Sequence, residues 1–291
     1  MQIKELTIQV FELFVQNSPL KNYMQSVEYA RLMGENHYNY DYIGLVDEKN
    51  TVLAASLILK RRISFNMFYG YAPKGFLINY YDENLVRTFI EKLKEYYQKN
   101  NIIFIKVNPE IVVGEINPKN HEFRESANMQ LKNNFEKYGF LKLKDNLYFE
   151  SIVPRFNAYV DLKNSKFSDY SKTNRNKVRN SLRKGLYLTK GTYEDIEEFY
   201  KLLDNDKSIG YYKSLYNLFN KDDRIDLLLV KVDFEQFIKN SQVLYEEELN
   251  RNGLLNEILH RSHNKADLNS KMASDSRLCT IKNEIISATE G

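Results

Sequence analysis

The sequence predicts an α/β fold of the α+β kind, with two units of similar order and a terminal antiparallel helical hairpin. Three observations predict it. Strand-like apolar runs and amphipathic helical runs alternate up to about residue 150 and then again to about residue 233. Strand formers all but vanish from Phe234 onward, where charge is dense. With 43% hydrophobic and 13% aromatic residues, the 291-residue chain can bury a sizeable core.

In the first unit, residues 3–17 carry apolar positions at helical spacing. Tyr23–Met33 reads as a second helix after Pro19. Tyr42–Val46 and Thr51–Leu59 are apolar runs split by Asp47-Glu48-Lys49-Asn50, a β-hairpin pattern. Met67–Tyr71 is a strand stopped by Pro73 and Gly75. Glu83–Asn100 is an amphipathic helix, with Leu85, Phe89 and Leu93 on one side. Ile102–Val107 is a continuous apolar run that predicts a buried central strand, ended by Asn108-Pro109-Glu110. Asn128–Tyr138 predicts a helix, and a strand is expected after Gly139-Phe140.

The second unit opens after a join near Ser151–Arg155. A strand is expected over Asn157–Leu162, a helix over Lys172–Lys184, and a strand over Gly185–Lys190. Helices are expected over Tyr193–Leu203 and Tyr211–Phe219, and a buried strand over Ile225–Val232. In the arm, Phe237, Leu244, Leu255 and Ile258 mark a loose heptad seam interrupted by Glu248 and Arg251. Leu268, Met272, Cys279 and Ile286 mark the return, after a polar turn near Ser262–Asn264. The expected divisions are 1–154, 155–233 and 234–291.

Composition narrows the function. Net charge is only +3, so a basic stretch is a local feature. That stretch holds Lys172, Arg175, Lys177, Arg179, Arg183, Lys184 and Lys190, with no acid from Lys172 to Lys190. A basic helix of this kind suits a phosphate-rich ligand; a solvated helix face is the plain alternative. Cys279 is the only cysteine, which excludes an intrachain disulfide and fits a reducing compartment. The opening Met1-Gln2-Ile3-Lys4-Glu5 lacks the layout of a leader, and no apolar run reaches 18 residues, so neither a signal segment nor a membrane span is expected. No nucleophile–base–orienter set is evident. His260 and His263 stand three apart without a third ligand near in sequence, so no metal is expected. The 11 glycines form no G-x-G loop for a pyrophosphate, which argues against a CoA-dependent acetyltransferase.

Several short motifs, taken in order, resemble the Fem-type non-ribosomal peptidyltransferases (the FemABX group). Gln25-Ser26-Val27-Glu28-Tyr29 resembles a Q-S-x-x-(W/Y) helix start, and Tyr71-Ala72-Pro73-Lys74-Gly75 a Y-x-P-(R/K)-G turn. Ile105 to Glu110 resembles a strand ending in D-P. Arg155 to Leu162, with the basic helix to Gly185, resembles the entry to a second domain. The arm, including Leu268-Asn269-Ser270-Lys271, resembles an inserted helical hairpin. The resemblance covers nearly the whole chain.

It implies two acetyltransferase-like (GNAT-type) domains, the second incomplete here, and a helical hairpin of coiled-coil type. It implies a cytoplasmic aminoacyltransferase without metal or other cofactor. This enzyme would add glycine, alanine or serine from aminoacyl-tRNA to the stem peptide of a peptidoglycan precursor, UDP-MurNAc-pentapeptide or lipid II. Such an enzyme serves cell-wall interpeptide bridges, with the inner membrane face as a place of work and a homo- or heterodimer as a form. Tyr71, Lys74, Gly75, Asn108 and Arg155 become candidate precursor-binding residues. Lys172, Arg175, Lys177, Arg179, Arg183 and Lys184 become candidate tRNA contacts. Some relatives carry Asp where Asn108 stands, and an amide cannot exchange a proton near neutral pH, so no catalytic residue is assigned. A phosphate-contacting Lys of some relatives falls near Met33. Relatives continue with more strands after the arm, so the chain reads as shortened at its C-terminal end. The alternative to an enzyme is a non-catalytic fragment that binds tRNA or a partner protein.

Overall fold

A computed structural model of the chain describes residues 1–143, 154, 156–204, 207–262 and 264–290. It divides into two compact units, Met1–Glu150 with Asn205–Arg224, and Ser151–Asp204 with Ile225–Gly291.

The first unit is built on a five-stranded sheet. Its elements are β1 (Gln2–Glu5), α1 (Ile8–Asn17), α2 (Val27–Glu35), β2 (Asn39–Val46), β3 (Val52–Ser64), β4 (Met67–Ala72), α3 (Glu83–Gln98) and β5 (Ile102–Val107). A small hairpin, β6 (Gly114–Ile116) and β7 (Phe123–Glu125), leads to α4 (Met129–Asn134). The strands lie in the order β1-β2-β3-β4-β5, antiparallel except for the parallel pair β4–β5. That parallel pair needs a crossover, and α3 supplies it. Asp82 caps α3 by accepting from the Leu85 N–H at 3.0 Å, and the helix buries Val86, Phe89, Ile90, Leu93 and Tyr97. These side chains join Ile43, Leu45, Ile58, Phe76 and Ile78 in one core. Below the sheet's other end, Asp41 is held by Lys60 Nζ at 2.5 Å and by the Tyr97 hydroxyl at 3.0 Å.

Two expectations for this unit need correction. Residues 2–5 form a strand rather than the start of a helix, because Gln2 to Glu5 pair with Val46 to Ile43. The helix begins only after the Thr7 cap. Ile102–Val107 is a strand, but the last one of the sheet among the described residues, with Ile103 and Phe104 exposed. An apolar run alone does not separate a central strand from an edge strand covered on one face. The strand expected after Gly139-Phe140 falls largely outside the described residues.

The second unit contains α5 (Lys172–Arg183), β8 (Leu186–Gly191), α6 (Ile196–Lys201), β9 (Leu227–Val232), α8 (Phe234–Ser262) and α9 (Lys265–Glu290); α7 (Ile209–Phe219) packs on α2 in the first unit. Ser171 caps α5 by accepting from the Asn174 N–H at 3.2 Å. Gly185 ends it at φ 70°, where an added Cβ would stand 2.4 Å from the Asp233 carbonyl oxygen. β8 and β9 pair antiparallel in a two-stranded sheet. β9 was expected to be buried; instead Leu228 and Val230 are 53% and 65% exposed. Asn157–Leu162 forms no strand: these residues are exposed and belong to no sheet among the described residues, and an extended segment without a ladder is not a strand.

α8 and α9 run antiparallel, as expected, but the seam differs. Leu268, Met272, Cys279 and Ile286 face solvent, and so does Ile258. The buried positions are Ser241, Glu248 and Asn252 on α8 and Ser274 and Ile281 on α9. Ser274 Oγ donates to Glu248 Oε1 at 2.6 Å, and Asn252 Nδ2 donates to Ser274 Oγ at 3.1 Å and to Asp275 Oδ1 at 2.8 Å. Arg277 and Arg251 approach Glu248 at 3.3 and 3.6 Å. Phe237, Leu244 and Leu255 of the expected seam are half-buried, so the contact line is mixed: its most buried positions, apart from Ile281, are small or polar and leave no apolar pattern.

Candidate substrate site

Because β4 and β5 are parallel, with Ala72 opposite Val107, the segments leaving their C-terminal ends emerge side by side. Such strand ends are where α/β sheets place ligands. Pro73-Lys74-Gly75 leaves β4, and Asn108-Pro109-Glu110 leaves β5. Lys74 takes a left-handed backbone, φ 53°, and its N–H donates to Asn108 Oδ1 at 3.0 Å. Its ammonium reaches Glu110 Oε1 at 3.3 Å, with the Lys74 side chain only 14% exposed. The other Glu110 oxygen accepts from Asn22 Nδ2 at 2.9 Å. The turn lysine is therefore a fixed, partly covered charge rather than a free surface cation.

Gln25 locks this turn from beneath. It is fully buried. Its Nε2 donates to the Pro73 carbonyl at 2.6 Å, and its Oε1 accepts from the Leu57 N–H at 2.8 Å. A Cβ on Gly75 would stand 2.8 Å from Gln25 Nε2 and 3.1 Å from Ser56 Oγ, so the close approach of chain to glutamine requires glycine. Ser26, next in sequence, caps α2 by accepting from the Tyr29 N–H at 3.1 Å. The adjacent Gln and Ser thus do separate structural tasks.

Other tyrosines lie near Tyr71, which leads into the turn. The Asn108 side chain lies close to the Tyr71 phenol and acts to lower its pKa. Burial pushes the Tyr71 pKa up to about 12, against the opposite pull of Asn108, so Tyr71 stays a neutral donor across the physiological range. Tyr23, Tyr29, Tyr38 and Tyr211 lie near Tyr71 or near one another. Tyr29 and Tyr211 are also raised by burial first. Tyr23 packs edge-on against Tyr29 at 5.8 Å and against Phe219 of α7 at 6.1 Å. Arg224, just after α7, forks onto Glu28 at 2.6 and 3.2 Å.

Glu110 also lines a cleft of about 580 Å³, walled by Phe14, Leu20, Leu77, Tyr80 and Ile111, with Asn128 and Tyr81 among its polar groups. Its mixture of apolar walls and few polar groups suits an extended organic ligand.

The sequence profile of the FemAB family matches residues 6–290. The chain belongs to the FemAB family. It is 24% identical over 268 residues to aminoacyltransferase FemB of Staphylococcus epidermidis, covering 86% of this chain and 63% of that protein. It is 24% identical over 289 residues to aminoacyltransferase FemA of Staphylococcus aureus, covering 93% and 67%. The chain thus spans about two thirds of the length of these relatives. The crystal structure of FemX superposes with a TM-score of 0.66 at 17% identity, over 100% of this chain and 73% of that one, a likeness of fold.

In this FemAB chain, four of the five expected precursor-site residues, Tyr71, Lys74, Gly75 and Asn108, come together. Arg155 lies outside the described residues. The sequence assigns no binding role to Gln25, Glu110, Asn22, Tyr23, Tyr29 or Tyr38; Tyr211 and Tyr212, after Gly210, read equally as ring-stacking residues or as the core of a helix start. A glutamine at the start of an apolar helix, and an acid two residues past Asn108, were the available signals.

The α5 cations separate into two groups. Arg175 Nη1 donates to the Ser168 and Tyr170 carbonyls at 2.5 and 2.6 Å, Arg183 donates to Asn180 Oδ1 at 2.9 Å, and Lys184 pairs with Glu284 of α9 at 2.8 Å. Lys172, Lys177 and Arg179 are exposed, with no ion-pair partner among the described residues. No group of His, Cys, Asp or Glu that could hold a metal occurs among the described residues, and His263 lies outside them. No helix among them is long and apolar enough to cross a membrane.

Proposed function

We propose that this chain carries out, or forms the larger part of a protein that carries out, tRNA-dependent aminoacyl transfer to the stem peptide of a peptidoglycan precursor. The transferred residue is glycine, alanine or serine, and the acceptor is UDP-MurNAc-pentapeptide or lipid II. The observation that carries this reading is the joined turn, in which Lys74 and Asn108 meet at the ends of the parallel strands beside the Tyr71 phenol. Family membership and the names of FemA and FemB support it. In the same reading, both units are acetyltransferase-like domains, the arm is of coiled-coil type, and the protein works in the cytoplasm at the inner membrane face.

The chemistry is modest. The free acceptor amine attacks the ester carbonyl that joins the amino acid to the tRNA ribose. The N–C bond forms, the C–O bond to the ribose breaks, and the proton lost by the amine goes to the departing ribose hydroxyl. An activated ester needs positioning and a stabilised oxyanion more than a strong base. Asn108 cannot act as an acid or base near neutral pH and Tyr71 stays protonated, so both act as hydrogen-bond partners that orient substrate. Lys74 meets an anionic group of the precursor, which takes the place of Glu110 on its ammonium. Lys172, Lys177 and Arg179 meet tRNA phosphates.

The test is transfer. The full chain is mixed with tRNA charged with labelled glycine, alanine or serine and with each precursor, and label in the precursor is counted. Label transferred from one charged tRNA supports the reading. No label from any of them, with a salt-sensitive tRNA complex still formed, favours a tRNA-binding module, a second reading supported by the exposed cations of α5.

A further inference from the structure

The β3–β4 hairpin runs past its neighbour. β2 begins at Asn39, opposite Lys60, so Arg61 to Ser64 have no partner on that side. The tip carries three apolar side chains in water: Ile63 at 49%, Phe65 at 88% and Met67 at 44% exposure. Arg62 holds the turn in place by donating to the Phe65 carbonyl at 2.5 and 3.1 Å and to the Ser64 carbonyl at 3.2 Å. Its guanidinium lies 5.8 Å from the Phe65 ring centroid, and that of Arg61 lies 5.6 Å from the Tyr38 ring. Neither arginine has an ion-pair partner among the described residues, and no acid occurs between Val52 and Tyr81.

We propose that this hairpin tip docks the protein on an anionic lipid bilayer, with Ile63, Phe65 and Met67 entering the interface and Arg61 and Arg62 at the lipid phosphates. A rigid turn that presents an aromatic ring outward, ringed by aliphatic groups and backed by two cations, matches the boundary between acyl chains and headgroups. A nucleic acid would use the ring and the arginines, but Ile63 and Met67 offer no face for base stacking. The inference rests on the tip alone and holds or fails independently of the transfer reaction.

The chain has no tryptophan, so Phe65→Trp places its one tryptophan at the tip, to be excited selectively beyond the tyrosine band. The full chain is titrated with vesicles of phosphatidylglycerol and phosphatidylcholine, and with phosphatidylcholine alone. Emission should move to the blue with the anionic vesicles and be quenched by brominated acyl chains. Phe65→Ser, with its circular dichroism unchanged, should lower vesicle affinity about ten-fold, because the apolar ring no longer enters the interface. Arg61→Gln should lower it about five-fold on anionic vesicles. Emission that ignores anionic vesicles, equal affinity for neutral ones, or unchanged affinity in Phe65→Ser would overturn the proposal. Emission that responds to RNA and not to vesicles would assign the tip to nucleic acid instead.

Discussion

The backbone N–H of Lys74 donates to the side-chain oxygen of Asn108 at 3.0 Å, across the two parallel strands that carry them. This bond holds a lysine in a left-handed turn, a conformation that an L side chain adopts at some cost. It gives Asn108 a positioning task at the turn that needs no proton transfer.

Asn108→Asp keeps an acceptor for that N–H, while Asn108→Leu removes it. The aspartate variant should fold with near-normal stability and retain precursor affinity. The leucine variant should lose about 1–2 kcal/mol, from an orphaned N–H and a relaxed turn, and most precursor binding. Urea titration and precursor calorimetry on both variants check this; equal behaviour of the two would mean that the bond does not shape the turn.

Gln25 satisfies the Pro73 carbonyl and the Leu57 N–H from a fully buried position. Gln25→Leu should therefore cost about 2–3 kcal/mol, the usual penalty for leaving buried backbone groups without partners. The fall in the urea midpoint measures it. A loss below about 0.5 kcal/mol, the range of ordinary surface changes, would mean that the turn is held by something else.

Legibility in the sequence followed the physics of each element. The β4 and β5 ends and α3 were readable because apolar periodicity and the Pro-Gly punctuation coincide there. Asn108 and Lys74 were found by motif, but their hydrogen bond was not, since a side chain bonding a backbone 34 residues away leaves no periodic trace. β1 was misread because a four-residue strand has too few positions to outweigh the helical pattern that follows. The arm's seam was legible only in part: Phe237, Leu244 and Leu255 are half-buried, but Ser241, Glu248, Asn252 and Ser274 are buried too, and polar residues satisfied by one another look like surface.

Glu28 and Arg224 give a pH signature. Burial acts to raise the Glu28 pKa, yet the hydrogen bonds and charge, those of Arg224 foremost, leave it lower than the ordinary value. A carboxylate depressed in the folded state adds stability that is present above its unfolded pKa, about 4.3, and lost as pH falls through the folded value. Arg224→Ala should thus be less stable than the parent at pH 7, with the gap closing below about pH 4. Thermal melts across pH 3 to 7 follow it, and a gap independent of pH would exclude the pair as its source.

On α5, Lys177 and Arg179 are exposed whereas Arg175 is bound to the carbonyls of its own N-terminal turn. Lys177→Glu with Arg179→Glu should weaken tRNA binding and reduce the salt slope by about one for each phosphate no longer neutralised. Arg175→Ala should mainly lower stability. Filter binding at several salt concentrations separates the two effects; tRNA affinity that depends on Arg175 and not on the exposed pair would reverse the assignment.

The central claim is that the Lys74 turn receives the precursor. Calorimetric titration of UDP-MurNAc-pentapeptide into the full chain and into Lys74→Ala tests it most directly, with urea melts confirming that both are folded. Saturable binding to the parent chain is expected, with an affinity at least about ten-fold weaker in the variant, the scale of a single charge-assisted hydrogen bond. Equal affinity in a folded Lys74→Ala protein would contradict it.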